Sequence, residues 1–427
     1  MGRNRRRSFT SRGRRRSVVA ACFAVAATLL VSSACGETEE SATFEAGSER
    51  SGNAVRPASA AGSENQSIDA ASDIGIALYV GDVMIRGYDP KPMLVVPETI
   101  VERARFPVID VHCHWWIGRR TPTPESMLAA MDEMNITAAV NLSGGWGDAL
   151  GAMLAWCGVA PERLLVFANI DFSRIDDDDF AESMVASLRD AASRGVRGVK
   201  VFKDLGLTIR DASGALVPID DQRLDPIWRV CAELELPVLI HSADPAAFFE
   251  PVDEHNERWM QLTRHPSWSF HGPEFPSRDE LFAQRDRLFA GHRATTFIAA
   301  HVADHAEDLA RASALLEAHP NVVLDLSARI AELGRQPYSA RRFLIRWQDR
   351  LLFGTDRYPG RTDQPRERIY FRFFETDDEY FKYYDHPFPP TGEWRIYGVH
   401  LPDEALRKIY FENAARVLGM DRPAAVE

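Results

Sequence analysis

Two histidines one residue apart, His112 and His114, close the apolar, β-branched run Pro107-Val108-Ile109-Asp110-Val111. Side chains alternate along a strand, so both imidazoles are expected on one side and Cys113 on the other. Neutral imidazoles converging at the end of a buried strand make half of a metal site. Three further apolar runs end in the same kind of residue. Val238-Leu239-Ile240 leads into His241, Phe297-Ile298-Ala299-Ala300 into His301, and Leu351-Leu352-Phe353-Gly354-Thr355 into Asp356. Each alone has an ordinary explanation. A histidine after an apolar run is more often a hydrogen-bonded core residue, and an aspartate there is as often a turn or N-cap. Together they put four histidines and a carboxylate at matching ends of their runs, which chance alone rarely produces.

Those ends must be gathered on one rim. From Phe106 onward, β-type runs recur at 107–111, 138–142, 164–170, 196–202, 236–240, 296–300, 321–326 and 350–354. Helical patterns lie between them at 124–134, 147–158, 178–193, 221–234, 278–290, 304–319 and 338–347, with 402–418 after the last run. Pro124-Glu125-Ser126 and Pro402-Asp403-Glu404 read as helix starts, with proline and acids in the first turn. Strand followed by helix, about eight times over, predicts an α/β fold: a parallel sheet closed into a (β/α)8 TIM barrel. An open doubly wound sheet is the alternative, but no Gly-x-Gly-x-x-Gly opens a helix after a strand. The connections 242–290, after the fifth strand, and 357–401, after the eighth, are long and aromatic. Over the mouth of a barrel they would act as lids or an oligomer contact, or simply pack on one another.

The chain of 427 residues, 45% hydrophobic, can bury one large core or two modest ones. Its first 35 residues are of another kind. Residues 1–16 hold eight arginines and no acid, and the mostly apolar run Val18–Ala34 ends at Cys35. That layout predicts an export signal over 1–35, and hence a periplasmic or membrane-anchored protein outside the cytoplasm. Arg6-Arg7-Ser8-Phe9 resembles the twin-arginine type, and Ser33-Ala34-Cys35 resembles a lipoprotein box with Cys35 as lipid attachment site. A signal-anchor helix is the alternative, although the run is short for a bilayer span. Residues 36–72, rich in Ser, Ala, Gly and Glu, predict a disordered linker. Residues 73–105 form a lead-in segment, and 106–420 the barrel. Removing the eight signal arginines takes the net charge from −12 to −20, which argues against nucleic acid and anionic membrane surfaces as partners. Cys113, Cys157 and Cys231 are scattered and without CxxC spacing, so they predict small buried side chains, neither a disulfide framework nor a zinc ribbon.

The set Asp110-Val111-His112-Cys113-His114, His241, His301 and Gly354-Thr355-Asp356 resembles the amidohydrolase superfamily. Within it, the resemblance is to the amidohydrolase-related branch of aminocarboxymuconate-semialdehyde decarboxylase-like metal-dependent hydrolases. It covers roughly residues 106–420, and Glu412-Asn413-Ala414-Ala415-Arg416-Val417-Leu418 resembles the closing helix of that branch, with a structural asparagine. By position, the resemblance implies that His112, His114, His241 and Asp356 hold one divalent metal, most often zinc. It makes His301 the catalytic or substrate-polarising histidine. Chemistry supports the same roles. Three imidazoles and a carboxylate suit Zn²⁺ with an open position, and zinc lowers the pKa of bound water to about 7. Asp356 can take the proton and pass it to a leaving group, while His301 stabilises charge on a polarised oxygen.

The fourth run, Arg197-Gly198-Val199-Lys200-Val201-Phe202-Lys203, raises a second metal bridged by a carboxylated lysine as the less favoured arrangement. Lys200 and Lys203 have opposite parity, so a regular strand turns at most one toward the lumen, with Lys200 deep and Lys203 at the loop. Lys200, Arg329 and Trp115 are the candidate substrate contacts, and for Arg329 an ion pair with a neighbouring acid is the plainer reading. The expected function is metal-dependent hydrolysis of a C–N or C–O bond in a small molecule, by a protein that could be a homo-oligomer. Non-oxidative decarboxylation of a small carboxylic acid is the alternative, with Arg329 and Arg357 as candidate carboxylate partners. A non-enzymatic metal- or ligand-binding lipoprotein is the alternative of another class. A passive binder needs neither a base nor a polarising histidine.

Overall fold

The computed structural model describes residues 91–118, 121–357, 367–384 and 391–420. The expected export signal, Cys35, the linker 36–72 and the lead-in up to residue 90 lie outside the described residues. Eight parallel strands hydrogen-bond in sequence order: β1 (Val108–Cys113), β2 (Ile136–Asn141), β3 (Leu164–Asn169), β4 (Gly198–Val201), β5 (Val238–Ile240), β6 (Phe297–Ala299), β7 (Val322–Asp325) and β8 (Leu351–Leu352). β8 returns to β1 through three links: Val111 N–H to the Phe353 carbonyl (3.1 Å), Asp356 N–H to the His112 carbonyl (2.7 Å) and a bridge between Cys113 and Arg357. The result is a nearly closed (β/α)8 TIM barrel. Among the described residues no helix is long and apolar enough to cross a membrane.

Alternation along the strands sorts the core into two layers. Leu239, Ile298, Val323 and Leu352 pack with Ile109, Val111, Ala138, Val140, Leu165 and Phe167 inside the barrel. Their sequence neighbours Val238, Ile240, Phe297, Val322 and Leu324 pack in the layer under the helices. The tight lumen needs Gly198, because a Cβ there would stand 2.4 Å from the Phe167 ring. The first helix is predicted and found at Pro124–Met134; Thr123 caps it by accepting the Ser126 N–H (3.3 Å), and Pro124 opens it. Asn413 donates to the carbonyls of Gln348 (2.6 Å) and Leu351 (2.9 Å), tying the closing helical segment to the start of β8.

Four local features depart from the sequence pattern. The register of β1 on β2 slips between Asp110 and Cys113, so strict alternation is broken by a bulge just before the two histidines. The helix expected from 304 begins at Leu309, because His301, Val302, Ala303 and Asp304 all have positive φ, between 55° and 61°. Such a left-handed turn of non-glycine residues costs about 1–2 kcal/mol per residue and must be held by its surroundings. Helices also form at Ile330–Arg335 and Glu367–Glu375, within stretches expected to connect. The expected helix 402–418 is three consecutive segments, the middle one, Lys408–Glu412, π-helical.

The two long connections meet. Trp394, after β8, lies between the guanidinium groups of Arg258 (5.7 Å), from the connection after β5, and Arg335 (4.1 Å). Arg258 also pairs with the buried Glu332, and Arg335 with Glu257 (2.9 Å). Tyr383 stacks on Trp394 at 6.1 Å, and Trp268 on Phe248 at 6.4 Å. Of the roles expected for these loops, packing on one another is the one these contacts describe.

Candidate metal centre

β1 and the end of β8 deliver three donors to one point. His112 Nε2 stands 3.4 Å and His114 Nε2 3.3 Å from Asp356 Oδ1. All three residues are buried, and their donor atoms lie within 4.8 Å of one another. Asp356 Oδ1 has no hydrogen-bond partner among the described residues. Two donors each about 2.0–2.1 Å from a tetrahedral ion stand about 3.3 Å apart, so this spacing fits ligands around one shared cation. The chain reaches this geometry by two local devices. The β1 bulge turns His112 and His114 inward while Cys113 and Trp115 join the outer layer. Asp356 adopts a left-handed φ of 61°, and its N–H bonds back to the His112 carbonyl at 2.7 Å.

His301 stands beside this trio, its ring 4.8 Å from that of His112 and 4.4 Å from that of His241. His241 is at the expected strand end, but its Nε2 faces Asp304 Oδ1 (3.6 Å) and Asp244 Oδ1 (3.7 Å). It belongs to neither of the two close donor groups, His112–His114–Asp356 and His112–His301–Asp325, and among the described residues its Nε2 has no hydrogen-bond partner. The structure thus gathers His112, His114 and Asp356, with His301 and then His241 as neighbours.

The electrostatics keep these groups in donor form. Burial pushes the Asp356 carboxyl upward, but attraction to His112 and contact with His114 outweigh it and hold the group well below the usual carboxylate range. Burial lowers His114, with Asp356 pulling the other way. Burial lowers His301 strongly, reinforced by Arg329. His241 is also lowered strongly, by burial first and then by His301, Lys203, Lys200 and Arg329. Burial thus favours the neutral forms of His114, His241 and His301 while Asp356 stays ionised, the protonation states that metal binding needs.

Groups to which sequence reasoning gave no role hold these side chains, Asp325, Asp110 and Asp304 buried and Ser143 half-buried. Asp325, which closes β7, sits 2.9 Å from His112 Nδ1, and Ser143 Oγ 2.8 Å from His114 Nδ1. Asp110 accepts from the N–H groups of His112 and Thr355 (both 3.1 Å) and from the Thr355 hydroxyl (2.6 Å). Complete burial raises its carboxyl to about 7. Asp304 accepts from Ala243 N–H (3.0 Å), and burial likewise raises it to about 7. Asp325 was findable, since it ends an apolar run just as His241 and Asp356 do. Asp304 depends on the left-handed turn, which no local pattern announces.

The candidate substrate contacts divide. Lys200 is interior and 1% exposed, with Nζ 5.2 Å from the Phe202 ring. Lys203 lies beyond the last residue of β4, where strand parity no longer applies, and pairs with Asp244 at 2.5 Å. Arg329 is buried with Nη2 3.7 Å from Asp304 Oδ1, the ion pair that was its plainer reading. Trp115 is corrected: it is fully buried, 6.3 Å from Trp156, because the alternation that sends His114 inward sends Trp115 outward into the core. Its neighbour Trp116 is half exposed and stacks on His114 at 6.2 Å.

No curated protein matches this chain. Among solved structures, it is similar to 2,6-dihydroxybenzoate decarboxylase from Rhizobium, at 17% identity over 74% of this chain and 99% of that one, TM-score 0.45. It is also similar to a dihydroxybenzoic acid decarboxylase from Polaromonas, at 14% identity over 74% and 98%, TM-score 0.48. A third is a probable 2-pyrone-4,6-dicarboxylic acid hydrolase from Acinetobacter baumannii, at 12% identity over 73% and 99%, TM-score 0.41. The family model described as Amidohydrolase matches residues 109–420, from the strand that carries His112 and His114 to the end of the closing helical segment. The barrel and the donors at its mouth fall within that match, and the chain belongs to the amidohydrolase family.

Proposed function

We propose that this chain is a metal-dependent hydrolase that uses activated water on a C–N or C–O bond of a small molecule. The observation that carries the reading is the buried trio His112, His114 and Asp356, spaced as ligands of one ion, with Asp356 Oδ1 unpartnered among the described residues. His241, buried beside them with its Nε2 also unpartnered there, is the fourth donor. A divalent ion, with zinc the best match to this donor set, would supply the Lewis acidity that activates water and polarises a substrate carbonyl. Asp356, held ionised, takes the proton from the attacking water and passes it to the leaving group. His301, with Nδ1 anchored 3.0 Å from the Ser327 carbonyl, keeps Nε2 free to accept a hydrogen bond or proton from the reacting groups. Lys200 and Arg329, buried and near these histidines, favour a substrate that carries negative charge.

Elemental analysis of the purified protein tests the reading. About one equivalent of divalent metal, lost in His112→Ala, is expected. About two equivalents would return the lysine bridge at Lys200, and none would overturn the proposal. A second reading, non-oxidative decarboxylation, is favoured by Arg329, a buried cation whose Nη2 lies 3.7 Å from Asp304 Oδ1. Arg329→Ala would then abolish turnover of an acid while sparing neutral esters. Residues 1–35 are the basis for proposing export, with Cys35 as lipid anchor, and cell fractionation with a Cys35→Ala variant tests both.

A further inference from the structure

β7 gives no donor to the proposed metal set, yet its end touches two of the imidazoles. Asp325 Oδ2 lies 2.9 Å from His112 Nδ1. Asp325 Oδ1 accepts from the N–H groups of His301 (3.1 Å) and Ser327 (3.0 Å) and from the Ser327 hydroxyl (2.5 Å). Asp325 and Ser327 are both completely buried.

These contacts decide where the imidazole protons are. An ionised carboxylate only accepts, so His112 carries its proton on Nδ1. His301 Nδ1 faces the Ser327 backbone carbonyl at 3.0 Å, which also only accepts, so His301 too is protonated on Nδ1. Ser327 Oγ lies 3.0 Å from His112 Nδ1 and 2.9 Å from His301 Nδ1. Its hydrogen is committed to Asp325, so toward both rings it can only accept. Every contact therefore selects one tautomer, and both Nε2 atoms are left with a free lone pair.

We propose that Asp325 and Ser327 are a positioning pair that sets the tautomer and ring orientation of His112 and His301 together. In one step it makes a ligand of the first and an acceptor-ready imidazole of the second. The ligand half rests on the metal reading above; the tautomer half does not. Partners that orient ligating histidines in this way are typically worth about 10–100-fold in metal affinity.

The test pairs histidine ¹⁵N NMR on metal-free protein with zinc titration, for the wild type, Asp325→Asn and Ser327→Ala. The wild type should show His112 and His301 protonated on Nδ1. Asp325→Asn offers an amide N–H where the carboxylate accepted, so His112 should shift toward the Nε2-protonated form and zinc affinity should fall at least about 10-fold. Ser327→Ala, the milder change, keeps the backbone carbonyl for His301 and should cost less affinity than Asp325→Asn. Either histidine protonated on Nε2 in the wild type would overturn the proposal even if the variants fail to fold. So would unchanged tautomers and zinc affinity in Asp325→Asn. Expected tautomers without zinc binding would support the pair and overturn the metal reading instead.

Discussion

Replacing Arg258 with methionine should destabilise the protein by about 3–5 kcal/mol, the cost of leaving a buried charge without its partner. Arg258 and Glu332 join the connection after β5 to the helix after β7, with side chains only 3% and 1% exposed. Other groups compensate only in part: the half-exposed Glu257 lies 4.0 Å from Arg258 Nε, and Arg329 and Arg335 also attract Glu332. Arg258 Nη1 donates to Gln261 Oε1 (2.9 Å), while Arg258 Nε and Glu332 Oε2 have no hydrogen-bond partner among the described residues. Methionine retains most of the aliphatic stem, so the packing of that stem is largely kept and the stranded Glu332 carboxylate is the main loss. Glu332→Leu should cost a similar amount by stranding Arg258. The double variant removes both charges and should cost much less than the sum, with a coupling of at least about 2 kcal/mol. Equilibrium urea unfolding of the four proteins, followed by tryptophan fluorescence, measures it. Single variants that each cost below about 1 kcal/mol, or costs that simply add, would refute the claim that burial makes this pair interdependent.

Two further outcomes follow from other parts of the barrel. Asp378 receives N–H and hydroxyl hydrogen bonds from Thr99 (both 2.7 Å) and the Arg372 guanidinium (2.7 Å). Burial pushes its carboxyl up, but these donors outweigh it and hold it below the ordinary range. A depressed folded-state value means that its contribution is complete above the unfolded pKa of about 3.9 and is lost as pH falls through the folded one. Wild-type stability should therefore drop more steeply below pH ~4 than that of Asp378→Asn, and parallel acid profiles would count against it. At Gly354 a Cβ would stand 3.0 Å from His112 Cβ and 3.2 Å from Ser327 Cβ. Gly354→Ala should therefore displace His112 and weaken zinc binding about 10-fold with little change in far-UV circular dichroism; isothermal titration showing unchanged affinity would contradict this.

The barrel was legible because its strands are buried on both faces and read as apolar runs, each overlapping an observed strand. The clustering of His112, His114 and Asp356 was legible because a histidine or aspartate interrupts such a run where the strand ends. What escaped depends on contacts between distant segments. The left-handed turn at His301–Asp304 closes on its own carbonyls, Asp304 N–H reaching Ala300 (3.3 Å) and His301 (3.1 Å), but it is held from outside by the Asp304 carboxylate, which accepts from Ala243 N–H (3.0 Å). A helical reading from 304 has no access to that. Trp115, a candidate substrate contact, is instead fully buried in the outer layer of the core. Its neighbour Trp116 is the half-exposed one of the two and stacks on His114. Asp325 and Ser327 lay in a stretch read only for Arg329, since a residue that works through another leaves no spacing of its own.

The meeting of β8 with β1 has a thermodynamic consequence. Backbone bonds donated by Val111, His114 and Asp356 cross this seam, with His112 and His114 on one side of it and Asp356 on the other. An ion gripped from both sides would act as a rivet across the last joint of the cylinder, so prising the joint apart would mean giving the ion up. The seam's resistance to opening would then rise with the logarithm of free metal concentration, and chelation would loosen this one edge before the other seven.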